Sequence, residues 1–545
     1  MRRPTEVDFE DRDVIVPTEE LIIVAAGYGR WQIFITLILC LMNLTHMLNA
    51  GLEPVEHMAG WWCEKPAELR NWTDAQWIMF SHVNVTRRGF TEELINERFR
   101  GCKIYKHDFL YMRSMTYETR PIIDRRENVE CSNVHYSRVF GKSIAEKFNK
   151  GCDRTFEHSI WQAAGVTGEV LGYIIFGYLT DRVGRKPVIF TSCGLTPLTA
   201  IAVSFAPNYL TYVIVKTIHD FLHAGFIASF ILVIEISNNV WRTRMTSLAS
   251  FFYASGIGLA PVLLKVVTSI DHLVLLVNEP CLLFLLAINF LPESPAWLFC
   301  TRNSSKLGNV IIKAAKTNHN PLPSQFQVDY IEHQDVEKQL PKARPKFWDL
   351  LQAPEIACEI AGIGYLISLS GVIFGSTQAK LVFNEKRVSH WYVIMGLDAM
   401  SGIMISQFCV LMMGHRKLLH VTVFLIFITT GAVMINLRED YSTTTGPTTT
   451  LLAANIFAIS LNYGVIINYS VRTVPTLLRG TYLGIWNALW AIFTWVGVKR
   501  YLNYPGMSST AIITILLAAL VTLNIRDLLW RELPDTVNDS VNFKE

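Results

Sequence analysis

Predominantly apolar runs occur along most of the chain, each about the 20 residues that an α-helix needs to span a bilayer. The runs lie at 29–52, 158–180, 188–206, 208–233, 245–268, 271–291, 355–377, 390–413, 418–437, 447–467, 480–499 and 507–528. We therefore predict twelve membrane-spanning helices in two sets of six. Two long polar segments interrupt them: 53–155 follows the first helix, and 292–354 separates the two sets.

This pattern divides the chain into an N-terminal segment (1–28), a first half (29–291), a linker (292–354), a second half (355–528) and a tail (529–545). Composition supports the prediction of an all-α membrane protein. Hydrophobic residues make up 51% of the chain and charged residues only 17%, against about 25% charged in soluble domains. These values exclude a soluble enzyme, and a net charge of +3 is too small to indicate nucleic-acid binding.

Basic residues in the short loops predict the orientation, because they collect on the cytoplasmic side. On one side lie Arg182, Arg185, Lys186, Arg242, Arg244, Arg416, Lys417, Arg472 and Arg479. Five basic residues oppose the rule: Lys380, Lys386, Arg387, Lys499 and Arg500. On balance we expect both termini and the linker to be cytoplasmic, in a multi-pass protein of the plasma membrane.

The segment 53–155 has the features of an exported loop. It holds an even number of cysteines: Cys63, Cys102, Cys131 and Cys152. In an oxidising compartment these predict two disulfides, in any of three pairings. Asn71 and Asn84 begin glycosylation sequons in the same loop. We therefore expect the loop to be extracellular, disulfide-bonded and glycosylated.

Several motifs lie at fixed places relative to the predicted helices. GYLTDRVGRKP (177–187) closes the second helix, after the packing spacing Gly168-x-x-x-Gly172. GYGRWQ precedes the first helix, LPESPAWL (291–298) follows the sixth, and LPDT (533–536) follows the twelfth. The first motif resembles the loop that closes the cytoplasmic gate in the major facilitator superfamily. Together with the cysteine-bearing loop, the others resemble the organic cation, anion and zwitterion transporter family, from about residue 18 to 537.

The resemblance implies a twelve-helix transporter without enzymatic activity or cofactor, but the residues that select substrate differ from the family pattern. Arg472 stands where the family tends to have glutamate, and Ala491 where a charged residue often follows the sign of the substrate. Leu369-Ser370-Gly371 replaces a Tyr-Tyr-Gly, and His415 interrupts the second gate loop. The motifs therefore predict the fold more strongly than the substrate.

Ionisable residues inside apolar helices are candidates for function because burying a charge in lipid is costly. The candidates are Glu169, Asp398 and the pair Lys216 and Asp220, four residues apart and able to neutralise each other. Trp486 and Trp490 share a helix face and could contact an organic ammonium group. Packing is the alternative role for each of these residues. The carboxylates outnumber the lysine, which favours a cationic or zwitterionic substrate.

We therefore expect a carrier of small organic ions that works by alternating access, through facilitated diffusion or exchange, as a monomer or weak oligomer in the bilayer. The expected gate consists of Asp181, Arg182, Arg185, Lys186, Glu235, Arg416, Lys417 and Arg479. No metal-binding or catalytic motif is found in the sequence. A sugar-porter-like carrier, an organic anion transporter and a transporter fold that no longer transports remain the alternatives.

Overall fold

The structure is a computed structural model that describes residues 27–52, 60–82, 101–106, 127–137, 142–152, 155–267, 269–320, 345–384, 388–439, 446–503, 510–528, 533–534 and 540. Its elements are α1 (Arg30–Leu52), β1 (Trp61–Cys63), α2 (Asp74–Ser81), β2 (Lys103–Tyr105), β3 (Asn128–Glu130), β4 (Val134–Tyr136), α3 (Ile144–Lys147), α4 (Thr155–Val183), α5 (Arg185–Ser204), α6 (Tyr209–His223), α7 (Ile227–Glu235), α8 (Asn239–Val266), α9 (Ile270–Asn278), α10 (Pro280–Ala287), α11 (Pro295–Cys300), α12 (Ser304–Asn318), α13 (Phe347–Leu351), α14 (Pro354–Asn384), α15 (Val388–Met413), α16 (His415–Glu439), α17 (Gly446–Thr473), α18 (Arg479–Asn503) and α19 (Thr510–Thr522).

The predicted all-α membrane architecture is confirmed. Within the described residues, nine stretches are long and apolar enough to cross a membrane. The other three predicted spans correspond to α8, to α9 with α10, and to the shorter α19. Two predicted single helices are interrupted. A 3₁₀ turn at Ala224–Phe226 separates α6 from α7, and Pro280, which has no backbone N–H, begins α10 directly after α9.

The two halves meet along two pairs of helices, α4 with α18 and α8 with α15. Glycine makes the first contact possible. A Cβ on Gly177 would lie 2.6 Å from the carbonyl oxygen of Gly480 and 3.1 Å from the Cα of Gly484, so a larger residue would push the two helices apart. The largest apolar cluster lies mainly in the second half, and a second cluster fills the first half. We call the end of the bundle next to the linker the linker end, and the end next to residues 60–152 the loop end.

The loop-end segment forms a small unit held by disulfides. Cys63 is bonded to Cys131 and Cys102 to Cys152, which is one of the three pairings left open above. Strand β1 pairs antiparallel with β4, and β2 with β3. A tryptophan-rich core packs beneath them, formed by Trp62, Leu69, Trp72, Ala75, Trp77, Ile78 and Phe80. Asn71 is exposed beside α2, whereas Asn84 lies outside the described residues.

This unit rests on the first half. The Lys147 ammonium donates to Asp271 at 2.9 Å and to the backbone oxygen of Ser204 at 2.7 Å. Lys142 forms an isolated parallel bridge with Ser269. Each of these contacts joins the loop unit to the helices of the first half.

Helix α12 of the linker is attached to the start of α1 through one side chain. The amide of Asn318 accepts from the backbone N–H of Trp31 at 2.9 Å and donates to the oxygens of Gly27 and Gln32, at 3.2 and 3.0 Å. The contacts explain the GYGRWQ motif, because a Cβ at Gly29 would lie 2.8 Å from the Asn318 side-chain oxygen. The linker therefore contains a structured helix that is docked on the first half.

Candidate functional site

A cavity lies between the two halves. The first half lines it with residues that include His46, Tyr173 and Tyr253, and the second half with residues that include Tyr463 and Asn487. The halves also meet on both sides of the cavity: at the loop end Lys499 donates to Gln162 at 3.1 Å, and an ion network joins them at the linker end. A site enclosed by two facing halves is the arrangement through which alternating access operates.

The second-half wall combines aliphatic side chains (Ile403, Ile467 and Leu483) with Tyr463 and Asn487, and aromatic rings support Tyr463 from behind. Trp490 packs on Tyr463 with 4.4 Å between ring centroids and on Phe374 with 5.5 Å. The Tyr463 hydroxyl donates to the side-chain oxygen of Asn487 at 3.2 Å and lies 3.4 Å from the Tyr253 hydroxyl. The predicted residue Trp490 is thus held against a cavity-lining tyrosine, and the ring faces suit an organic ammonium group.

Glu169 supplies a carboxylate next to this wall. It lies half-buried one turn before Tyr173 on α4 and hydrogen-bonds the Tyr173 hydroxyl. It also interacts electrostatically with Tyr253 and Tyr463. Three cavity-lining tyrosines therefore surround this predicted site residue, and a cation in the cavity would be attracted to its charge.

Lys216 and Asp220 form the predicted intrahelical pair, with Nζ and Oδ1 2.5 Å apart. They are absent from the cavity lining. The pair lies behind it, where α6 packs on α4: a Cβ on Gly165 would come within 3.3 Å of Asp220. Gly168 and Gly172, the predicted packing glycines, face the backbone oxygens of Thr217 and Phe221. The pair therefore lies at the contact between α6 and α4 rather than in the cavity lining.

Asp398 and Trp486 are also missing from the lining, and Glu169 and Trp490 reach the cavity only through the tyrosines that line it, so none of the six predicted substrate-binding residues is itself a lining residue. Asp398 is half-buried on α15, and its Oδ2 has no hydrogen-bond partner within the described part of the chain. Trp486 is 4% exposed in the core of the second half, with its ring 5.9 Å from that of Tyr482. Trp486 and Trp490 share one face of α18, but the first packs deeper against α14, where Gly364 leaves room for its ring.

A buried ion network closes the linker end. Glu235 accepts two hydrogen bonds from Arg185, both at 2.8 Å, and one from Arg479 at 2.5 Å. All three side chains are fully buried. Arg185 and Glu235 belong to the first half and Arg479 to the second, so this network ties the halves together. Arg185 also donates to the backbone oxygen of Thr476 across the same boundary, at 2.8 Å.

Asp181 adds a second crossing contact. Its carboxylate accepts from the backbone N–H groups of Gly480 and Thr481, at 2.9 and 2.7 Å, and from the Thr481 hydroxyl at 2.8 Å. These donors belong to the first turn of α18, where unpaired backbone N–H groups favour a negative charge. The Trp297 indole donates to the backbone oxygen of Asp181 at 2.9 Å, which connects the linker to the same point. We call Asp181, Arg185, Glu235 and Arg479 the linker-end network.

The structure does not bring the other four predicted gate residues into the contacts of this network. Arg182 is exposed and lies over the Tyr178 ring at 5.2 Å. Arg416 and Lys417 are also exposed, and Arg416 donates to the backbone oxygen of Leu523 at 3.0 Å. Lys186 is half-buried and donates its backbone N–H to Glu293 at 3.2 Å. These four residues lie in sequence next to the linker end, but three of them are exposed there and Lys186 contacts Glu293 through its backbone.

The same capping arrangement occurs once in each half. Gly184 (φ 113°) precedes α5, and the Glu293 carboxylate accepts from the N–H of Arg185 at 2.8 Å. Gly414 (φ 79°) precedes α16, and Asp527 accepts from the N–H of His415 at 3.2 Å. Burial raises the pKa of Glu293, while hydrogen bonds from Ser294 and Arg185 act in the opposite direction. The glutamate of the LPESPAWL motif therefore caps a membrane helix.

Sequence reasoning missed the polar residues that line the cavity without carrying a charge, namely Asn43, His46, Tyr173, Ser250, Tyr253, Tyr463 and Asn487. Each lies inside an apolar run, where polar groups require partners. A search for every hydrogen-bonding side chain in the twelve runs, rather than for ionisable ones alone, could have identified them. Such a search could not have shown that these seven residues from five helices meet at one place.

Known proteins resemble this chain in sequence and in fold. A family model described as Major Facilitator Superfamily matches residues 156–498. The chain is 25% identical to the "Organic cation transporter protein" of Drosophila melanogaster over 438 residues, which is 76% of this chain and 77% of that protein. It is 24% identical to "Solute carrier family 22 member 3" of Rattus norvegicus over 421 residues, 74% and 73% of the two chains. A solved proton:xylose symporter, XylE, superposes with a TM-score of 0.59 at 13% identity, covering 93% of this chain and 98% of its own.

Proposed function

Because the chain belongs to the Major Facilitator Superfamily, as a divergent relative of the organic cation transporters, we propose that it carries a small organic cation or zwitterion across a membrane. The observation that supports this most directly is the grouping of Glu169 with Tyr173, Tyr253 and Tyr463 at the cavity. A carboxylate beside several aromatic rings attracts an ammonium group both by charge and by the rings' negative faces.

We further propose that transport proceeds by alternating access. The linker-end network holds the halves together on one side, and the Lys499–Gln162 contact with an apolar cluster joins them on the other. Opening at one end breaks the contacts there and exposes the cavity to that side. Facilitated diffusion or exchange needs no further energy source, since substrate binding only has to leave both states accessible.

The proposed orientation places both termini and the linker in the cytoplasm of a plasma-membrane protein. The linker end is then the cytoplasmic gate, and the disulfide-bonded unit with exposed Asn71 lies outside the cell. Glycosylation at Asn71 and Asn84 would follow from this placement. A gel-mobility shift on removal of N-linked glycans, lost when both asparagines are replaced by glutamine, tests the orientation.

The test of function is uptake by cells that express the chain, compared with mock cells and with surface expression measured. The panel contains tetraethylammonium as organic cation, carnitine as zwitterion, one organic anion and glucose. We expect saturable uptake of tetraethylammonium or carnitine. Glu169→Gln should abolish most of it, whereas the control Glu279→Gln, at the junction of α9 and α10, should not.

One observation favours a second substrate class. Arg472 is 3% exposed, and its guanidinium donates to the Thr243 hydroxyl at 3.0 Å across the two halves. Its Nη1 has no hydrogen-bond partner within the described residues. When the linker end opens, this cation becomes available to an organic anion. Uptake of the anion alone, lost in Arg472→Gln and retained in Glu169→Gln, would replace the cation proposal.

A further inference from the structure

Three histidines from two helices stack in and behind the wall of the cavity. His46 of α1 lines the cavity, and its ring lies 4.3 Å from the ring of His223 at the end of α6. The His223 ring lies 5.9 Å from that of His219, one turn earlier. Both ring pairs are nearly parallel, with interplanar angles of 26° and 27°. We call His46, His223 and His219 the histidine stack.

The stack is buried, and two of its nitrogens are open. The exposed fractions are 6% for His46, 7% for His223 and 1% for His219. Within the described residues, neither Nδ1 of His46 nor Nε2 of His219 has a hydrogen-bond partner. His219 uses its other nitrogen, which lies 3.0 Å from the Thr199 hydroxyl. Burial and the charge of Lys216 keep these rings neutral while the cavity is closed, and a nitrogen without a partner can accept a proton once the cavity opens to water.

The charged and titratable groups around the stack come from α6 itself and from three neighbouring helices. On α6 itself, Lys216 and Asp220 lie one turn before His219 and His223, and already form a pair. From α4 comes Tyr173, which is hydrogen-bonded to Glu169, from α8 comes Tyr253, whose ring lies 6.3 Å from that of His46, and from α17 comes Tyr463. The stack thus reaches from the cavity to an ion pair buried behind it.

We propose that the histidine stack is a proton-binding site that exchanges its proton for an organic cation in the cavity. Histidine is the side chain that ordinarily changes charge near neutral pH. A proton from water in the opened cavity forms an N–H bond at Nδ1 of His46. The positive charge of the protonated His46 ring then lies over the parallel ring of His223. The proton later leaves Nδ1 of His46 and returns to water. Nothing is oxidised or reduced.

The consequence is mutual exclusion. A protonated His46 and an ammonium group in the same cavity repel each other, and this repulsion is strong where water is scarce. Cation and proton therefore occupy the cavity in turn, so inward movement of the cation moves a proton outward. The inference rests on the proposed cation transport, and it adds a second ion to that cycle.

Proton binding is tested without substrate. We would label the histidines of the purified full chain with ¹⁵N and follow their resonances in detergent from about pH 5 to about pH 8. The expected result is a titrating histidine signal that disappears in His46→Gln and persists in the control His272→Gln, an exposed position on α9. If every signal assigned to the stack stays neutral across this range, the proposal is wrong, whatever the protein transports.

Exchange is tested in proteoliposomes loaded with a pH-sensitive dye, with tetraethylammonium added outside. We expect the interior to become more alkaline, and uptake to rise with external pH by at most about tenfold per pH unit for one proton. His46→Gln should reduce this to less than about twofold, and His46→Asn serves if the first variant does not fold. Interior acidification, or an unchanged pH profile in a folded His46 variant, would overturn the proposal. Loss of pH dependence in Glu169→Gln but not in either His46 variant would assign the proton to Glu169 instead.

Discussion

Replacing Glu235 by glutamine tests whether the linker-end network holds the two halves together. The substitution keeps the shape of the side chain but removes the carboxylate that contacts both Arg185 and Arg479. All three side chains are fully buried, so Arg479 would lose this charged partner without gaining water, and Arg185 would keep Asp181 at 3.7 Å. Breaking a buried pair in this way costs about 3–5 kcal/mol.

Part of that cost is avoided if the linker end opens, because water then solvates the two arginines. If the whole of this free-energy cost favoured opening, the population of the closed state relative to the open state would fall roughly 150- to 4,000-fold. We therefore expect Glu235→Gln to melt several degrees lower than the wild type and to expose the cavity. The conservative control is Glu130→Gln, on an exposed strand of the loop unit.

Opening can be measured by alkylation of a cysteine placed at Ser250, which lines the cavity. The background variant replaces Cys300, Cys358 and Cys409, because these cysteines are exposed or half-buried. We expect alkylation to be faster by at least one order of magnitude in Glu235→Gln than in this background.

A double variant separates charge from packing. In Glu235→Gln with Arg479→Gln, one cation remains, and Asp181 lies 3.7 Å from it. This variant should melt higher than Glu235→Gln alone, since fewer buried charges are left without a partner. Equal melting temperatures for Glu235→Gln and the wild type, or a double variant less stable than both single variants, would refute the reasoning.

Three further predictions concern the loop unit, the linker and the cavity. Burial lowers the pKa of His82 from its usual 6.5 to about 4, so the folded loop unit favours the neutral ring. Its free energy of unfolding should therefore fall by up to about 3 kcal/mol as the pH is lowered from about 6.5 to about 4. The measurement is the melting temperature, which should be lower in acid. Asn318→Ala removes three hydrogen bonds to the start of α1 and should destabilise the purified protein by about 1–3 kcal/mol in chemical unfolding, while Thr317→Ala, at an exposed position, should have little effect. Tyr463→Leu should raise the half-saturation concentration for an organic cation roughly 2- to 30-fold, whereas Trp486→Leu, in the core rather than at the cavity, should leave it nearly unchanged in uptake assays.

The sequence predicted the architecture well because a membrane helix is recognisable from its own residues. Each backbone group must be satisfied within the helix, so length and apolar composition are sufficient evidence. The breaks at Pro280 and at Ala224–Phe226 were less visible, since apolar residues continue through both. Only the packing of the helices shows that Gly225 lies against Ser192, where a Cβ on residue 225 would collide with the serine hydroxyl.

The candidate site was predicted less completely because it depends on which helix faces meet. Asp181, Arg185, Glu235 and Arg479 were found because the gate motif holds two of them and buried charges are rare in apolar helices. The cavity tyrosines are common residues in membrane helices, and nothing in their spacing distinguishes them from packing residues. His46 and His223 are 177 positions apart in the chain, so no local pattern could indicate that their rings stack.

The attachment of the loop unit has a consequence for how motion could be observed. Lys147 and Lys142 hold this unit to Asp271, Ser204 and Ser269, all in the first half. If the halves rotate against each other, the loop unit moves as a rigid body together with the first half. A fluorophore on its surface and a second on the loop-end tip of α18 would then report each turnover as a change in energy transfer. An antibody fragment that bridges the unit and the second half would stop the carrier without reaching its cavity.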